Sequence, residues 1–156
     1  MRIKTKTRRD KIKKIYTIGF TGKTAKEFFT KVEVAGVRRI LDIRLKNSSQ
    51  LSGFAKKNDL KYFLMKINGI EYLHFPELAP TEDIMDSYKK KRIGWPEYEI
   101  QFNKLLTERK VENPMMDELA EGDCFLCSEE KPNFCHRRLV SDYLQKKLGD
   151  ITILHL

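Results

Sequence analysis

Asp123-Cys124-Phe125-Leu126-Cys127-Ser128-Glu129-Glu130-Lys131-Pro132-Asn133-Phe134-Cys135-His136-Arg137-Arg138 decides how this chain folds. Cys124 to Cys127 is a short apolar run of the kind that forms a buried strand. Ser128 to Asn133 is polar and contains Pro132, which reads as a tight turn. From Phe134 the period changes. Leu139, Val140, Tyr143, Leu144 and Leu148 recur at helical spacing, and Gly149 supplies a stop. The run Ile151-Thr152-Ile153-Leu154-His155-Leu156 then reads as a returning strand.

The same alternation runs upstream. Strands are predicted over 15–20, 39–45 and 71–75. Thr24 caps a helix through Phe28, Phe29 and Val32, with Gly36 at its end. A helical period spans 54–68 and is closed by Gly69. Thr81 starts a helix through Met85 and Tyr88, and Trp95-Pro96 opens another carrying Tyr98, Phe102, Leu105 and Leu106. Strands separated by helices require crossover connections. The predicted class is therefore α/β, a three-layer, mainly parallel sheet with helices on both faces, Rossmann-like or flavodoxin-like. Strand order is not legible. No Gly/Ser linker divides the chain, so 15–156 reads as a single domain behind a basic arm, 1–14.

Charge is concentrated in that arm. The chain has 31 Lys and Arg against 22 Asp and Glu. Residues 1–14 hold eight of the bases and one acid, so the rest has 23 bases against 21 acids. Such an arm suits nucleic-acid phosphates, or is simply a solvated terminus. No apolar run approaches the ~20 residues of a membrane span, and no apolar h-region follows the basic start. An odd count of three cysteines argues against a disulfide framework. A cytoplasmic protein with no membrane partner is expected.

Ligands of open parallel sheets bind beyond the carboxyl ends of the strands. Reading those ends in turn collects one set of polar groups: Asp42, Arg44 and Asn47; His74 and Glu77; Cys127 and Glu129; then Cys135, His136, Arg137 and Arg138 at a helix start. A helix start presents unpaired N–H groups and the positive end of the dipole, so it attracts an anion. Arg44 and Arg137 are the expected anion holders, with Asn47, Glu77, Cys127 and Arg138 as further ligand contacts. Asp42 or Glu129 is the expected general acid or base, assisted by His74 or His136. The competing reading pairs Asp42 and Arg44 with each other or with Arg137 as a buried network and makes His74 a core residue. Gly19 to Thr24 lacks the spacing of a Walker loop.

Cys124-Phe125-Leu126-Cys127 matches C-x-x-C, but side chains three apart on a strand face opposite ways. No metal and no cofactor is assigned on that basis. Cys127 and Cys135 form the nearer pair. Cys135, at a helix start beside His136, is expected to ionise more easily.

Tyr16-Thr17-Ile18-Gly19, Leu41-Asp42-Ile43-Arg44, Tyr72-Leu73-His74 with Pro76-Glu77-Leu78, and Leu126-Cys127-Ser128-Glu129 with Cys135-His136-Arg137 resemble the domain-of-unknown-function 488 family. The resemblance runs from about Ile15 to Leu156. Many members read Thr-Ile-Gly-His-Ser at the first strand, where this chain has Phe20-Thr21. The resemblance implies a compact α/β domain with the marked residues in one site. It supplies no reaction.

Two functions are expected to compete. The first is an anion-binding, catalytic pocket for a phosphate-bearing ligand, a nucleotide or nucleic-acid component, served as a hydrolase or transferase. The second is a non-catalytic nucleic-acid-binding module using the arm. Redox sensing through Cys127 and Cys135 is a third.

Overall fold

β-branched and aromatic runs can satisfy their backbones only by pairing with one another, and short helical links between them force the pairing to be parallel. The computed structural model describes residues 13–156 and has this arrangement. Its strands are β1 (Lys13–Gly19), β2 (Arg39–Asp42), β3 (Glu71–His74), β4 (Asp123–Cys127) and β5 (Ile151–His155). They form a sheet of order β3-β2-β4-β1-β5, parallel at every pairing. Most of the basic arm, 1–12, lies outside the described residues; Lys13 and Lys14 begin β1.

The direction of each crossover decides which face its helices cover. From β1 to β3 the chain steps toward one edge of the sheet, through α1 (Ala25–Ala35) and α2 (Lys57–Phe63). From β3 to β5 it steps back through α3 (Glu82–Lys89), α4 (Trp95–Arg109), α5 (Glu112–Glu118) and α6 (His136–Leu148). Right-handed crossovers running in opposite directions leave helices on opposite faces. Two apolar cores follow. Phe28, Phe29, Val32, Leu60 and Leu64 pack on Tyr16, Ile18, Ile40 and Leu126. Phe102, Leu106, Met115, Leu139 and Leu144 pack on Ile15, Leu41 and Phe125. Alternation along each strand assigns side chains to one core or the other. Among the described residues, no helix is long and apolar enough to cross a membrane.

Local signals work as the residue types predict. Thr24 and Glu27 form a reciprocal capping box on α1, and Gly36 closes it at φ 79°. Thr81 caps α3 through the Ile84 N–H. Three expectations need correction. The helix read over 54–68 is broken, because extended Lys56 separates a 3-10 turn, Gln50–Ala55, itself kinked at Gly53 (φ 55°), from α2. A wide π turn, Leu64–Asn68, then ends at Gly69. The strand read over 39–45 stops at Asp42, since the Arg44 N–H turns back to the Asp42 carboxylate instead of joining a ladder. Helix α5 has no counterpart in the reading. Within it only Met115 is buried in the core, flanked by Val111 and Leu119 at its caps, and Pro114 sits in its first turn, where an N–H is not needed.

Candidate functional site

The chemistry-bearing residues collect at the carboxyl end of the sheet, but the sheet divides them. Asp42 lies on the α1–α2 side with Tyr72. Its carboxylate is wholly buried and takes two bonds from the Arg44 guanidinium, at 2.9 and 2.8 Å. Tyr72 Oη and Asn47 Nδ2 donate to the same carboxylate, at 2.5 and 3.2 Å. Burial would push Asp42 up, yet the Arg44 guanidinium and the Tyr72 hydroxyl hold it below the usual aspartate range. Tyr72 moves the other way, raised by burial and then by the Asp42 charge beside it. The structural alternative for Asp42 and Arg44 is thus realised as a four-residue network. Arg44 Nη1 is buried without a hydrogen-bond partner among the described residues, and its guanidinium lies 5.2 Å from the Phe20 ring centre.

On the other side, Cys127 follows Phe125 in facing α4 and α6. It lies at the floor of a cavity of about 280 Å³. Tyr98 and Trp95 of α4, Tyr88 of α3 and Phe134 of the β4–α6 loop form an aromatic wall. Trp95 and Tyr98 stack with centroids 4.9 Å apart, and Phe134, 62% exposed, meets Trp95 edge-on. Arg44, Lys46 and Lys89 contribute the basic side, and Glu129 stands exposed at the mouth. The aromatic wall was missed in the sequence. Its only signal was the pairing of Trp95 and Tyr98 at i and i+3, which reads as ordinary core.

His136, the first residue of α6, reaches across to β2, where its Nε2 meets the Ile43 carbonyl at 2.7 Å. That nitrogen carries a proton, so in the neutral imidazole Nδ1 presents a lone pair, 3.4 Å from Cys127 Sγ. Cys135 caps α6 in extended conformation and, like the other two cysteines, is a buried free thiol. Burial alone would raise the Cys127 thiol. The Cys135 thiol, the N–H groups of Glu129 and Ser128, and the nearby Arg137 charge bring it below its ordinary value instead. Cys135 is raised, by its bond to Cys127 and by burial. The expectation that Cys135 is the easily ionised thiol is not met: its neighbour Cys127 and burial both raise it. Tyr98 is raised by burial and by these two thiols.

The remaining predicted residues are placed apart from the cavity. Arg137 is wholly buried and holds the β4–α6 loop from behind. It donates to the carbonyls of Glu129 and Glu130 and to Thr17 Oγ1. Arg138 turns outward to Glu99 and Asp142. His74 meets the Arg44 carbonyl at 2.8 Å and so positions the β2 turn. Glu77 is exposed in a 3-10 turn, Pro76–Leu78, and its carbonyl accepts from Arg109. Gly19 lets the loop approach β1: a Cβ there would stand 1.6 Å from the Glu129 oxygen.

A parallel sheet with its polar groups gathered beyond β2 and β4, closed by a strand–loop–helix unit bearing Cys-x-Glu and Cys-His-Arg, defines the class. The model of the family described as "Domain of unknown function DUF488" matches residues 24–144. The chain belongs to that family. No curated protein and no solved structure matches it.

Proposed function

We propose that the cavity between β4, α3 and α4 binds a phosphate-bearing ligand, a nucleotide or nucleic-acid component. The observation that carries this is the pairing of an aromatic wall with a cationic side in one cleft at the carboxyl end of a parallel sheet. Planar bases gain from stacking on rings such as Trp95 and Tyr98. Phosphate oxygens gain from the charge of Lys46 and Lys89. Glu129 is the acid–base group assigned to exchange a proton with a bound molecule, which suits hydrolysis or transfer.

Trp95 is the only tryptophan of the chain, so its fluorescence reports on this cleft alone. Titration with a nucleoside monophosphate should quench or shift that emission saturably, and the unphosphorylated nucleoside should bind more weakly. The double variant Lys46→Ala/Lys89→Ala should weaken the nucleotide about tenfold, the loss of ~1.4 kcal/mol, and leave the nucleoside unchanged. Equal responses to nucleotide, nucleoside and inorganic phosphate in both proteins would overturn the proposal.

A further inference from the structure

Cys127, Cys135 and His136 come together from a strand end and a helix start, and together they outnumber what an acid–base site or a single nucleophile requires. One donor atom from each lies within 4.8 Å of the others, and all three residues are buried yet line the cavity. We propose that these three side chains bind a soft divalent metal ion of the zinc class, with its fourth coordination position open to the cavity.

Three features carry this. The first is donor type. Two thiols and an imidazole nitrogen are the ligands that zinc selects over harder ions. The second is spacing. Zinc bonds of about 2.3 Å to sulfur and 2.0–2.1 Å to nitrogen, at a tetrahedral angle, separate sulfur from nitrogen by about 3.5 Å. Cys127 Sγ and His136 Nδ1 stand 3.4 Å apart. The third is the outer support. His136 donates Nε2–H to the Ile43 carbonyl at 2.7 Å, which fixes the tautomer that leaves Nδ1 free for a metal.

The C-x-x-C spacing of Cys124 and Cys127 has no part in this site. Cys124 faces the opposite core, beside Leu126 and Ile40. With three protein ligands and a fourth position facing the cleft, the arrangement is that of an open site, in which a water or a ligand atom completes the tetrahedron. The proposal stands apart from the nucleotide reading, because metal binding is measured with no nucleotide present.

The test uses the full chain. Purified protein is stripped with a chelator under reducing conditions and titrated with Zn²⁺ against a competing chromophoric chelator. It is titrated separately with Co²⁺, whose thiolate and ligand-field bands report tetrahedral sulfur coordination. One ion per chain is expected. Cys127→Ser and Cys135→Ser should each weaken zinc at least about 100-fold and erase the sulfur-to-cobalt band, whereas Cys124→Ser should stay within about threefold of wild type. Circular dichroism confirms that each variant is folded. Should a serine variant fail to fold, the cobalt spectrum of wild type decides alone: octahedral bands without a thiolate transition overturn the proposal. So does wild-type zinc binding weaker than about 10 μM, or an equal loss in Cys124→Ser. Zinc binding intact while the Trp95 titration fails would leave this site standing and remove the nucleotide reading.

Discussion

Arg137 and Arg138 are adjacent and chemically identical, and the structure assigns them opposite energetic weight. Arg137→Met keeps most of the aliphatic stem and removes the guanidinium. That guanidinium is wholly buried and donates to Glu129 O, to Glu130 O at 3.1 Å and to Thr17 Oγ1 at 3.2 Å. A hydrogen bond from a charged donor contributes about 1.5–3 kcal/mol, and acceptors left buried without a partner add their own cost. Relief from burying a cation offsets part of this. A net loss of about 3–5 kcal/mol is expected, against a typical total stability of about 5–15 kcal/mol. At about 2–4 °C per kcal/mol for a chain of this size, the melting temperature should fall by roughly 6–20 °C. Arg138→Met is the internal control. Its ion pairs, at 3.4 Å to Glu99 and 3.2 Å to Asp142, lie at the surface, so its loss should stay below about 1 kcal/mol. Urea unfolding of both variants, followed by circular dichroism, gives the two values. A loss under about 1 kcal/mol for Arg137→Met, or equal losses for both, would refute the assignment of Arg137 to the loop's interior frame.

Three further outcomes follow from the same geometry. Gly19→Ala places a methyl 1.6 Å from the Glu129 carbonyl oxygen, a backbone atom that cannot swing away; a loss of at least about 3 kcal/mol is expected in denaturant unfolding. Phe102→Ala empties the centre of the α3–α6 core and should cost about 3–5 kcal/mol in the same assay. Asp42 is held below its ordinary value of 3.8, so its folded carboxylate binds a proton less readily than the unfolded one. Its contribution is therefore complete above that value and lost as pH falls through the lower folded value. Asp42→Asn should be destabilised by about 3–5 kcal/mol at neutral pH, since it leaves Arg44 buried without its counter-charge. Its melting temperature should also fall less steeply than that of wild type as the solution is acidified below about pH 4.

Much of the architecture could be read from residues in order, because its signals are local. A capping box at Thr24 and Glu27, a left-handed stop at Gly36, a proline at the head of α4 and a glycine after α6 each act within one turn of chain. Local periodicity also separated strand from helix and so implied a parallel α/β sheet. Where it misled, a nearby backbone feature was stronger: extended Lys56 interrupts the helical spacing that begins at Phe54, and the Asp42 carboxylate captures the Arg44 N–H that would have extended β2.

The site divides along the same line. That Asp42, Arg44, Cys127, Glu129, Cys135 and His136 would meet at one end of the sheet follows from their places after strands and before a helix. Which of them share a space does not, because side-chain direction depends on strand register and on the face that each crossover takes. Asp42 and Cys127 stand at neighbouring strand ends, yet one faces α1 and α2 while the other faces α4 and α6. Arg137 and Arg138 differ by one residue, which on a helix is a turn of 100°, enough to send one guanidinium into the interior and the other into solvent. The sequence by itself determined the five strands, most of the helices between them and the sheet end where the polar groups gather. Only the tertiary structure decided that Trp95 and Tyr98 wall the cleft, that Cys127, Cys135 and His136 share one buried corner, and that His136 Nδ1 faces the Cys127 sulfur, because each depends on groups far apart in the chain being packed against one another.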